Sequence, residues 1–268
     1  MRPPVLAIIA ALLAIVPPCD QDAVADEALF SSRRVTELLV ASTPAAPADL
    51  SRRNLADLDL SGLDFKRAKL AGANLFGADL SGSNLSEADL SGARLDRVVL
   101  ISTRLDRADL RGATLLRPST YSTLAAPASE AASFVGANMA GARMFGRFNR
   151  ANLSGSNLTG ATFAPFNNTG FIEHIWRTEL MGAKLEGVNL TRANLTYVLL
   201  AFSSLRGANL SGAVLKSADL SRADLTGADL TGADLSEADL DGTILVGVKG
   251  WETVTGLDTA RNADRVVR

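Results

Sequence analysis

One cysteine, Cys19, and one histidine, His174, are all the chain carries of either residue in 268 positions. That scarcity removes the usual His/Cys zinc sites and any Cys–His nucleophile pair. A Ser/His/Asp triad would have to run through His174, and no nucleophile motif stands beside it. No phosphate-cradling G-x-x-x-x-G-K-[ST] loop is present. The composition therefore points to no enzyme and to no cofactor or metal. Charge of one sign is not in excess either, with 27 Lys and Arg against 29 Asp and Glu. So even a balance gives no field to gather nucleic acid and no strong acidity to imitate it.

Long apolar runs are also missing. The run from Val5 to Val16 is too short to span a bilayer comfortably. With Arg2 ahead of it and Ala23-Val24-Ala25 behind, residues 1–25 read as a secretory signal peptide cleaved after Ala25. The expected product is extracytoplasmic, periplasmic or secreted, with no transmembrane anchor. An alternative is a lipoprotein anchored at Cys19, although Pro17 and Pro18 are a poor match to the small residues usual before such a cysteine. Cleavage after Ala25 leaves no cysteine, hence no disulfide, and 26 basic against 27 acidic residues.

What the sequence has in abundance is period five. "ADLTGADLTGADLSEADLDG", residues 223–242, places a leucine at every fifth position. On an α-helix such leucines would swing round by roughly 140° each time, and on a straight strand they would alternate faces. A chain that runs extended for three residues and turns a corner in the next two keeps every leucine inside a coil. Small residues two before each leucine, such as Ala223, Ala228, Ala233 and Ala238, share the inward face. Period five by itself leaves three-sided and four-sided coils open.

Centres of this pattern run from Leu50 to Leu115, from Phe134 to Phe163 with a one-residue slip between Met144 and Phe148, and from Leu180 to Leu245. At four per coil they make roughly nine coils, a stack roughly 40 Å long at the ~4.8 Å spacing of adjacent strands. Residues 48–250 are thus one repeat domain, with insertions near 116–133 and 164–179. Residues 26–47 form an N-terminal cap and linker, with Leu29, Phe30, Val35, Leu38 and Leu39 at rough helical spacing. Residues 251–268 form a C-terminal cap, with a short helix expected after Asp258. Caps are needed because a bare end exposes strand edges. A terminal cap is also where a homodimer would form.

The pattern A-(D/N)-L-(S/T)-G resembles the pentapeptide-repeat family. The resemblance implies an all-β fold, a right-handed quadrilateral β-helix, here with short helical caps. Some members of that family resemble duplex DNA and bind type II topoisomerases such as gyrase. Near-neutral charge and an export signal oppose that role here. The expected function is instead a non-catalytic exported solenoid that binds a protein partner of the cell envelope.

Candidate contact residues lie in two places. The insertion 164–179 brings Phe171 and Trp176 beside His174, and "TYVLLAFSSL", 196–205, sets Tyr197, Leu199 and Phe202 at outward positions. Either the insertion packs over these groups or a partner does. Two further readings concern the acids of 217–241. A glycan-cleaving β-helix would stack acids at about 20-residue spacing, and Asp219 and Asp239 are one such pair. Calcium binding in this acid-rich stretch is the other.

Overall fold

The structure is a computed structural model that describes residues 30–122, 127–165 and 177–268. The 35 repeat centres from Leu50 to Leu245 are all buried, and so are the inward alanines such as Ala223 and Ala228. Each centre is held by the coil that follows. The amide of Leu50 donates to the carbonyl of Lys69 at 2.7 Å, and the amide of Lys69 donates back to Ala48 at 2.9 Å. Residues twenty apart therefore pair in parallel: Asp49 with Lys69, Asn54 with Asn74, Asp59 with Asp79 and Asp64 with Asn84. Twenty residues per turn settle four sides over three. We number the faces 1 to 4 from these four residues and the coils 1 to 10 along the rungs of face 1, from Asp49 to Lys249.

Corners follow from the residues after each centre. The amide of Ala73 donates to the carbonyl of Leu70 at 3.0 Å, and Gly72 between them has φ 65°. A four-residue turn with positive φ at its third position is the type II pattern, which explains the glycine. The residue before the centre caps the same corner. Asp229 accepts the Thr231 amide at 2.9 Å and its hydroxyl at 2.6 Å, and Asn209 does the same for Ser211. The (D/N)-L-(S/T) spelling is thus an Asx turn repeated along the coil. Three hydroxyls that replace the inward alanine donate one coil back, Ser83 to the Leu60 carbonyl at 2.7 Å, Thr103 to that of Leu80 at 2.8 Å and Thr243 to that of Leu220 at 2.8 Å, whereas Ser203 donates within its own coil, to Leu200.

Two boundaries differ from those expected. Ser119 pairs with Val99 and Thr120 is buried, so the first block runs one pentad beyond Leu115 and the insertion starts at Tyr121. The coil also continues past residue 250. Thr255, Arg261 and Val267 pair with Asp234, Asp239 and Ile244, with short 3-10 turns at Trp251–Thr253 and Ala263–Arg265 in place of the expected helix. At the slip, β1 (Thr114–Leu116) pairs in parallel with β2 (Arg143–Phe145), and the missing residue is absorbed just after, at Gly146. Ahead of the first coil stands α1 (Ser32–Ala41), whose N-cap Ser31 accepts the Arg34 amide and whose Val35 is buried.

Candidate functional site

Both insertions leave the coil beside face 3. The first departs after Thr120 in coil 4, and its return segment is tied down where the Ser102 amide donates to the Glu130 carbonyl at 2.7 Å. The second departs after Phe163 in coil 6 and returns to pair Glu179 with Arg147 below and Leu199 above. Between them face 3 carries a polar cluster. Glu179 accepts from Arg147 at 3.2 Å and from the Asn149 amide group at 2.7 Å, while the Asn149 oxygen accepts the Met181 amide at 2.9 Å. Tyr121, then Glu179, raise the Arg147 pKa above its ordinary value.

Phe171, His174 and Trp176 lie outside the described residues, as do residues 1–25, the expected signal peptide. Tyr197, Leu199 and Phe202 are described, and they cross face 3 of coil 7 from corner to corner. Tyr197 and Leu199 are half-buried, and Phe202 is 61% exposed. The Arg177 guanidinium lies 5.9 Å from the Tyr197 ring centre, and that of Arg222 lies 5.5 Å from the Phe202 ring. Both aromatics occupy the corner position usually given to glycine, with φ 64° at Tyr197 and 60° at Phe202. Met181, 37% exposed, adjoins them one coil earlier.

General acid catalysis needs a carboxyl held upward in pKa. Every described carboxylate with a displaced pKa is displaced downward. Arg67 and then Arg107 hold Glu87 at about 2, and the Thr231 hydroxyl and amide lower Asp229. Asp219 and Asp239 do stack on face 3, but Asp224, Asp229 and Asp234 fall on three other faces. Among the described residues no group of three His, Cys, Asp or Glu is placed to hold a metal ion. Nor is any described helix long and apolar enough to cross a membrane.

Four parallel ladders closed by Asx-capped corners define the chain first as a four-sided β-helix. The family model for pentapeptide repeats matches it in eight copies, over residues 48–82, 78–115, 177–212, 193–232 and 208–247. The chain belongs to the pentapeptide-repeat family. Among solved structures it is similar to HetL, a pentapeptide repeat protein involved in heterocyst differentiation regulation in Nostoc sp. strain PCC 7120. Identity to HetL is 28% over 85% of this chain and 92% of HetL, with a TM-score of 0.51. QnrB1, a plasmid-mediated fluoroquinolone resistance protein, shares 19% identity over 72% of this chain and 74% of its own, with a TM-score of 0.36. Rfr23, from the cyanobacterium Cyanothece 51142, shares 28% over 45% of this chain and 90% of its own, at a TM-score of 0.24. None of the curated proteins matches the chain.

Proposed function

We propose that the chain is a non-catalytic, protein-binding solenoid of the cell envelope, exported by cleavage after Ala25, and that coil 7 of face 3 is its contact surface. One observation carries the contact reading. Phe202 is held at φ 60° and left 61% exposed. A bulky residue in left-handed backbone is strained, and an exposed ring recovers little of that cost by burial. Neither fold nor solubility asks for it, whereas an interface does. HetL, a relative over most of its length, is involved in regulation, which supports action by contact rather than by turnover.

The test places a photo-reactive phenylalanine analogue at position 202 in the full chain and irradiates cells. A single envelope protein should be trapped, and Phe202→Gly should fold as well as the parent while losing that partner in co-purification. Cross-linking of nothing, or equal recovery of the partner by Phe202→Gly, would sink the reading. The mass of the purified product tests export separately, since it should begin at Asp26. A full-length cytoplasmic chain would transfer the reading to topoisomerase binding, which a supercoiling assay would then examine.

A further inference from the structure

Laying an arginine over a ring is a repeated device on this surface. Arg94 lies 4.5 Å from the centre of the Phe76 ring and also pairs with Asp96 at 2.9 Å, so its charge is met within the chain. Arg177 and Arg222 lie in the same way on Tyr197 and Phe202, yet neither forms an ion pair with an acid among the described residues. Acids stand near both and are engaged elsewhere. Glu179, two residues beyond Arg177, pairs with Arg147 at 3.2 Å and accepts from Asn149. Asp241, whose carbonyl accepts the Arg222 amide at 2.8 Å, turns its carboxylate to Arg265 at 3.2 Å.

The two guanidiniums flank one strip. Glu179 pairs with Leu199, so Arg177 stands one coil before Tyr197 on the corner that enters face 3. The Phe202 amide donates to the Ser221 carbonyl at 3.0 Å, so Arg222 stands one coil beyond Phe202 on the corner that leaves it. Leu199 lies between, half-buried, with Met181 exposed one coil earlier. From coil 6 to coil 8 the order across the face is therefore cation, apolar group, cation. A ring beneath a guanidinium steadies it without using its N–H groups, which remain open to an acceptor and lose little freedom on meeting one. The other charges of these coils on face 3 and its corners are answered locally, Glu179 by Arg147 and Lys216 by Glu237 at 3.5 Å. Asp219 is left, its carboxylate capping the Ser221 amide and hydroxyl. Among the described residues the strip thus sets two unneutralised guanidiniums against one capping carboxylate.

We propose that this strip takes an extended, acidic segment of a partner protein, with carboxylates on Arg177 and Arg222 and an apolar side chain between them on Leu199. The inference rests on coil 7 of face 3 being the contact surface and names the chemistry that meets it. Carboxylates take guanidiniums through paired N–H···O bonds. In an extended chain alternate residues share one side, so acid, apolar and acid at alternate positions present the matching order. Asp219, next to Leu199 in the face 3 ladder, repels an acid at the middle position and so favours an apolar residue there. A nucleic acid strand would set phosphates on the guanidiniums but find nothing to hold in Leu199 and Met181, on a chain with 29 acidic against 27 basic residues.

The test is fluorescence anisotropy of the full chain with labelled peptides built on Glu-Ser-Leu-Ser-Glu. Peptides built on Glu-Ser-Glu-Ser-Leu and Lys-Ser-Leu-Ser-Lys, and a single-stranded oligonucleotide of equal charge, serve as comparison probes. The acid–apolar–acid peptide should bind most tightly of the four and weaken as salt rises. Replacing Arg177 and Arg222 together by glutamate should weaken it by about tenfold or more and exchange the preference for the lysine peptide. Corners accept that residue, since Glu87 and Glu237 occupy the same left-handed position as Arg222. Mere loss of the fold would abolish binding of both peptides instead of exchanging them. Asp219→Asn should tighten the acidic peptide, and Arg192→Gly, at a corner on another edge, should change nothing. No binding of the acidic peptide, an unchanged preference in the double variant, or tighter binding of the oligonucleotide would each overturn the proposal. If position 202 traps a partner in cells while the peptides fail, the contact reading stands and its acidic chemistry falls. If the peptides behave as stated and nothing is trapped, the contact reading falls alone.

Discussion

At the scale of single residues, the outward acids of the repeat are structural as well as solvating. Asp229 accepts two hydrogen bonds from Thr231, so Asp229→Ala should cost about 1–2 kcal/mol in urea unfolding, whereas Asp229→Asn keeps the accepting oxygen and should stay near the parent. The same arrangement recurs on all four faces, and each described Asp with a displaced pKa is displaced downward. Glu87 supplies the pH dependence. Its ordinary value of 4.5 is lowered to about 2 in the folded chain by Arg67 and Arg107. The stabilisation is therefore complete above pH 4.5 and lost as pH falls through about 2. Melting temperature should drop across that window, and the drop should be shallower when Arg67 and Arg107 are both replaced by alanine. Inward positions have the opposite chemistry. Ala228 is fully buried, so Ala228→Leu should overpack the coil by about 1–3 kcal/mol, measured by the same urea unfolding.

At the scale of elements, corners differ in how much they tolerate. A Cβ on Gly227 would meet open space, whereas one on Gly146, at φ 140°, would sit 3.0 Å from the Arg117 Cα. Gly227→Ala should therefore cost about 1 kcal/mol for its backbone alone, and Gly146→Ala clearly more, a ranking that paired thermal melts will check. The phase of every centre, including the slip into Phe148, was legible because burial of one large apolar group per pentad is a strong periodic signal. Thr120 escaped notice since a buried threonine looks like a break; its hydroxyl donates to the Arg147 carbonyl at 2.9 Å and so belongs to the coil. The end of the chain misled for a related reason. Asp258 to Arg268 has the composition of a short helix, yet rungs at Arg261 and Val267 compete for the same backbone and win. Of the contact surface, the outward aim of Phe202 followed from phase. The rings' arginine neighbours did not, because Arg222 stands a full coil away in sequence.

At the scale of the repeat domain, each coil bonds to the one before and the one after, so stability is a sum of neighbour terms rather than a single shared core. Amides of the repeat centres in the middle coils should exchange with solvent more slowly than those of coils 1 and 10, with a graded profile between. The ladder spacing also fixes a unit of length for the gene. Excising residues 206–225 would join Leu205 to Thr226 and return every downstream pentad to its own side, because twenty residues make one circuit. Excising 211–225 would also join leucine to threonine in phase, yet it would turn everything beyond by a quarter circuit and carry Asp239 away from the side that holds Phe202. Growth or loss by whole circuits is silent to the surface; growth by fifteen, ten or five residues redraws it. A lineage of such chains can therefore lengthen by slippage in steps of sixty nucleotides without disturbing what any side presents.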